Sequence, residues 1–178
     1  MCVIGIDPGL SGGLCVLNKN GIIDLLKMPL CVRPHRKGNY IDLEIIHNFI
    51  SKYSCKKTDS LKGIFIERQF ILRSQGMSSG SKTMYQSGLL YGLCFSQTKN
   101  LNEINAKDWQ KYIFNLVDET IVNKYTFTNE TKIKSVAYVE QNYGISSLFT
   151  SKRQTKPSDG LADAIGIASY GLSTIKNN

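Results

Sequence analysis

Four carboxylates carry the chemistry open to this chain: Asp7, Glu67, Asp159 and Asp163. Asp7 follows the apolar run Cys2-Val3-Ile4-Gly5-Ile6 and precedes Pro8-Gly9-Leu10-Ser11-Gly12-Gly13. It is therefore expected at the carboxyl end of a strand, where α/β sheets place their ligands. Alone it could equally serve a turn, since Asp-Pro-Gly is common turn chemistry. Glu67 ends a second apolar run, Gly63-Ile64-Phe65-Ile66. A charge there is costly unless it is paired or used, and Arg68 is one available partner. Asp159 and Asp163 stand four residues apart, on one face of a helix. Asp159 also suits an N-cap. Asp163 lies among Leu161, Ala162, Ala164 and Ile165, where a carboxylate needs a partner. Acids converging from two strand ends and one helix supply hard oxygen ligands without His or Cys, which suits Mg²⁺ or Mn²⁺ rather than zinc. Two such ions roughly 3.5–4 Å apart would activate a water and stabilise the leaving oxygen of a phosphodiester.

The rest of the composition fits that chemistry. With 22 Lys+Arg against 14 Asp+Glu, the chain carries a net charge of +8, and its pI is about 9.2. Such a balance favours polyanions, because Lys and Arg displace counterions from phosphates. A basic protein with this acidic centre should cleave nucleic acid. Five cysteines with no C-x-x-C pair point to free thiols in a reducing compartment, either a cytoplasm or an organelle matrix, and away from a zinc site. No basic leader precedes the first apolar run, and no apolar stretch reaches membrane-spanning length.

The elements that must position the acids can be read from apolar alternation and turn residues. Strands are expected over 2–7, 12–18 and 21–27, the last two joined by the turn Asn18-Lys19-Asn20-Gly21. Residues 30–40 read as a basic loop. Asp42 then caps a helix with Ile45, Ile46, Phe49 and Ile50 on one face. A strand over 63–66 leads to Glu67, a helix is expected over about 81–98, a strand over 101–105, and a helix from Ala106 through Trp109. Residues 116–150 are the least readable part, expected to be helical with loops. A polar loop over 151–158 runs into a helix from Asp159 to about Ser173. With 178 residues, no linker and no repeat, this order fits one α/β domain, 1–178, with a mixed sheet. Three basic clusters accompany it: Arg68, Arg73 and Lys82 beside Glu67; Lys152, Arg153 and Lys156 before Asp159; and Arg33, Arg36 and Lys37. Together they fit a surface that tracks phosphates.

Taken in series, Ile4-Gly5-Ile6-Asp7-Pro8-Gly9 with Ser11-Gly12-Gly13, Ile66-Glu67-Arg68-Gln69-Phe70, and Asp159-Gly160-Leu161-Ala162-Asp163-Ala164 resemble the RuvC-type Holliday-junction resolvases. The stretches Lys27-Met28-Pro29 and Gly76-Met77-Ser78-Ser79 through Tyr91-Gly92 look most like the phage and organelle branch of that superfamily. The resemblance implies an RNase H-like fold, a mixed five-stranded sheet with three antiparallel opening strands and flanking helices. It also implies a homodimer that makes paired, Mg²⁺-dependent nicks in four-way DNA junctions, with Mn²⁺ as a substitute. By motif match, Asp7, Glu67, Asp159 and Asp163 would be the metal ligands, and Lys156 would stabilise the transition-state phosphate. Phe70 would stack on a junction base, an interaction of roughly 1–3 kcal/mol; its other reading is a core residue. Arg68, Arg73, Lys82, Lys152 and Arg153 would contact DNA. Gly88 and Gly92, with Ser87, lie on the helix the family uses for dimerisation; the other reading is packing within one chain. The chain departs from the family in spacing its last two acids by four residues where bacterial resolvases usually have three, and in residues 116–150, which match no pattern. An RNase H or exonuclease acting on RNA–DNA hybrid or other branched DNA, and a non-catalytic junction-binding protein, are the competing readings. A two-lobed ATPase sharing the opening strand and Asp is excluded by length.

Overall fold

The computed structural model describes residues 1–34, 38–54, 60–71, 76–125, 129–151 and 153–176. The expected basic residues Arg36, Lys37, Arg73 and Lys152 lie outside them.

A five-stranded mixed sheet organises the chain. β1 (Cys2–Asp7), β2 (Gly13–Asn18) and β3 (Gly21–Lys27) form the expected antiparallel meander, and the Asn20 N–H donates to the Asn18 side chain at 2.8 Å in the turn. The two-stranded hairpin β4 (Leu30–Val32) and β5 (Asn39–Ile41) stands apart from the sheet. α1 (Leu43–Ser54) follows, then β6 (Leu61–Glu67), α2 (Met77–Gln97), β7 (Leu101–Ile104) and α3 (Ala106–Phe114). The chain closes with α4 (Glu119–Val122), α5 (Glu130–Tyr143), a 3-10 turn (Ile145–Leu148) and α6 (Asp159–Lys176). The strand order is β3-β2-β1-β6-β7, with β6 parallel to both β1 and β7.

The period-2 alternation of β1 and β6 divides the core into two layers. Cys2, Ile4, Ile6, Ile64 and Ile66 pack with Ile46, Phe49 and Ile50 of α1 and with Leu90 and Cys94 of α2. Val3 and Phe65 face the other way, onto Trp109 and Ile113 of α3, Val136 and Val139 of α5, and the apolar face of α6. By the same alternation Asp7 and Glu67, two residues beyond Gly5 and Phe65, belong to the α6 face.

Three readings of local structure change. In the stretch expected as a basic loop, Leu30–Val32 pairs with Asn39–Ile41, with Leu30 opposite Ile41 and Cys31 opposite Tyr40, and the Gln86 side chain of α2 accepts the Ile41 N–H at 2.7 Å. Asp42 caps α1 as expected, accepting from the N–H groups of Glu44 and Ile45. The buried face of α1 is Ile46, Phe49, Ile50 and Tyr53, leaving Ile45 exposed. The cap of α6 is Ser158, whose hydroxyl accepts from the Leu161 N–H at 3.4 Å, so Asp159 is the first residue of the helix and its side chain is released from capping. Cys2, Cys15 and Cys94 are buried among the apolar residues of the core. Among the described residues no helix is long and apolar enough to cross a membrane.

Candidate active site

The sheet fixes the first two acids. Ile6 pairs with Ile66 across the parallel β1–β6 ladder, so Asp7 and Glu67 end neighbouring strands at one level, on strands about 4.8 Å apart. Asp7 Oδ1 accepts the Gly9 N–H at 3.1 Å, which fixes its rotamer at the head of the Pro8–Gly13 loop. Glu67 Oε2 accepts the indole N–H of Trp109 at 2.7 Å.

α6 brings in the other two. A Cβ on Gly5 would lie 2.3 Å from the Ala168 nitrogen, and one on Gly160 would lie 2.1 Å from the Ser11 carbonyl oxygen. Only glycine lets α6 lie directly on β1 and its first turn rest on the loop after Asp7. That contact carries Asp159 and Asp163 to the end of β1.

The four acids feel one another. Burial, with the charges of Asp7, Glu67 and Asp159 adding to it, pushes the Asp163 carboxyl up to about 8. The buried Ser135 hydroxyl of α5 stands beside Asp163 and favours its charged form, but without the geometry of a full hydrogen bond. Burial also raises Asp7, with Asp159 adding to the shift and the Gly9 N–H and Lys132 opposing it. Glu67 is raised by burial and by Asp7, against the Trp109 hydrogen bond. Among the described residues, Lys132 of α5 is a cation set against these acids. Its ammonium is bonded to Asp159 Oδ2, and Asp163 and Asp7 add to the rise in its own pKa that this bond causes. Lys156 is exposed on the loop before α6. Lys132 was not legible in the sequence, because nothing in residues 116–150 distinguished one lysine from another.

The donor set suits a hard divalent cation. Carboxylates that raise one another's pKa, beside a buried hydroxyl short of a partner, lack positive charge. In the present arrangement no three His, Cys, Asp or Glu among the described residues close round a common point as ion ligands do.

A stability test follows from Asp163. Its ordinary pKa is 3.8 and its folded value about 8, so between those values the folded chain holds a proton that the unfolded chain has lost. Stability of the metal-free chain therefore falls as pH rises through that window. In chelator, Asp163→Asn is expected to gain melting temperature relative to the wild type between about pH 5 and about pH 8. An equal difference at both pH values would contradict the coupling.

Around the acids lies a surface suited to a polyanion. Phe70 is 57% exposed, which removes its core reading, and the Arg68 guanidinium lies 5.1 Å from its ring centre. Phe70 and Lys82 share a cleft of about 520 Å³ with Pro8, Gly9 and Leu10 of the Asp7 loop. Lys82 also stands 4.4 Å over the Tyr40 ring, and Arg33 5.1 Å over the same ring. Arg153 is exposed on the loop before α6.

This architecture is the RNase H-like fold, and solved structures of RuvC share it over the whole chain. Thermus thermophilus RuvC in complex with a Holliday junction substrate is 17% identical, with a TM-score of 0.59 over 100% of this chain and 96% of that one. Thermus thermophilus RuvC alone is 18% identical, with a TM-score of 0.55 over 99% and 97%. The yeast mitochondrial Holliday junction resolvase Ydc2 is 16% identical, with a TM-score of 0.55 over 98% and 80%. No family model and no curated protein matches the chain in sequence.

Proposed function

We propose that this chain is a Holliday-junction resolvase, an endodeoxyribonuclease that makes paired nicks in four-way DNA junctions during recombination and repair. The observation that carries the reading is that Asp7 and Glu67 end neighbouring strands of an RNase H-like sheet, within reach of the charges of Asp159 and Asp163 on α6. The Holliday junction held by one structural neighbour supports the same substrate.

Asp7, Glu67, Asp159 and Asp163 would hold Mg²⁺, or Mn²⁺ in its place. Bound there, the divalent ions supply Lewis-acid activation of water and stabilisation of the leaving oxygen. The chain's residues do the rest. The Gly9 N–H orients Asp7. Lys132 holds Asp159 and, released from it, offers an ammonium to a phosphate oxygen; Lys156 is a second cation near the start of α6. Phe70, exposed beside the Asp7 loop, stacks on an unpaired base at the branch point. Arg68, Lys82 and Arg153, with Arg73 and Lys152, track the backbone phosphates.

Paired nicks call for two centres, and α2 offers the means. Met84, Tyr91 and Phe95 are exposed at 43%, 37% and 67%. They lie on one face of α2 with Gly88, around which a Cβ would meet nothing, as at Gly92. The small residues are thus unused within the chain, and a second copy fits that stripe.

The test mixes the chain with a synthetic four-way junction, a linear duplex and an RNA–DNA hybrid, with Mg²⁺ and with chelator. Paired nicks in the junction alone, only with Mg²⁺, are expected. Cleavage of the hybrid without cleavage of the junction would refute the reading in favour of an RNase H activity, and binding without cutting would leave a junction-binding protein.

A further inference from the structure

Trp109 is the one tryptophan of the chain, and it is fully buried on α3. Burying an indole in a core layer needs no carboxylate, yet its N–H is aimed at Glu67 Oε2 at 2.7 Å. The six-membered ring lies against α6 at Gly166, where a Cβ would stand 3.0 and 3.1 Å from two of its carbons. One rigid side chain therefore touches both β6, which carries Glu67, and α6, which carries Asp159 and Asp163.

We infer that Trp109 is the positioning residue of the metal centre: its N–H holds one oxygen of Glu67, so that the other is presented toward Asp7 and Asp163, and its ring sets the spacing between Glu67 and the aspartates of α6. The inference rests on the reading of the four acids as metal ligands. An indole N–H only donates and stays neutral at every working pH. It can thus orient a carboxylate without neutralising it, unlike the ammonium that Lys132 sets on Asp159. Outer partners of this kind typically change metal affinity 10–100-fold when they are removed.

The experiment follows Mn²⁺ binding to the full chain by the paramagnetic resonance of the free ion, with no DNA and no turnover. Two replacements are made at Trp109: Trp109→Phe, and benzothienylalanine, which keeps the ring shape and lacks only the N–H. Both are expected to bind Mn²⁺ roughly 10–100-fold more weakly, while the benzothienylalanine protein keeps the wild-type melting temperature. In the wild type, bound Mn²⁺ should quench the Trp109 emission with the midpoint seen by resonance. Unchanged Mn²⁺ affinity in the benzothienylalanine protein would overturn the positioning role and leave the metal centre standing. A wild-type chain that binds no Mn²⁺ would overturn the metal centre itself, and the role of Trp109 with it.

Discussion

Asp7→Asn is expected to lower cutting of a four-way junction by about a thousandfold or more, while junction affinity stays within about twofold of the wild type. The magnitude follows from the several kcal/mol that a bound divalent ion supplies to phosphoryl displacement, at tenfold in rate for each 1.36 kcal/mol. Asparagine keeps the size and the oxygen that accepts from the Gly9 N–H, so the loop after β1 should survive. It removes one of the charges that raise Asp163, so the variant should melt no lower than the wild type in chelator. Rates under single-turnover conditions, binding by gel shift and melting by circular dichroism separate the three effects. Cutting that persists within tenfold of the wild type would rule out Asp7 as a ligand.

The second large effect is expected from a methyl group. In Gly160→Ala the added Cβ meets the Ser11 carbonyl oxygen and the Gly12 Cα, at 2.1 and 2.6 Å. Both are backbone atoms and cannot rotate away, so α6 must lift from the loop. Overpacking of this sort costs about 1–3 kcal/mol, or a fall of roughly 5 °C in melting temperature for a chain of this size. The catalytic loss should be larger in proportion, because Asp159 and Asp163 travel with the helix, and a displacement of about 1 Å at a reacting centre costs about a hundredfold. DNA affinity, set by cations on other elements, should change little. Unaltered melting and unaltered cutting together would mean that α6 reaches the acids by some other contact.

What was legible in the sequence followed from the length of its apolar runs. β1, β2 and residues 63–66 of β6 are continuous apolar stretches, β3 is one interrupted at Asp24, and the acids ending β1 and β6 announce themselves by contrast. The β4–β5 pair escaped notice because its strands are three residues long and separated by a basic stretch. α5 was opaque for the opposite reason. Ser135, Val136, Ala137, Tyr138 and Val139 are buried in succession between α3 and α6, which erases the 3.6-residue alternation that marks a helix. Lys132, one turn earlier, was hidden with it. Ser158 was overlooked as a cap because Asp159 beside it is an equally good capping residue, and the choice between them is made by how α6 meets the sheet. Phe70 had two readings in an apolar tripeptide, and only its exposure separates them.

For the nuclease proposed above, the packing of α6 on β1 also bears on when cutting could begin. Asp7 ends the first described strand, and its counterpart Asp163 lies some 150 residues further along the chain, on the last described helix. A nascent chain that has made only the meander therefore lacks the two aspartates of α6. On the proposed reading, the centre is complete only once the closing helix seats against the opening strand.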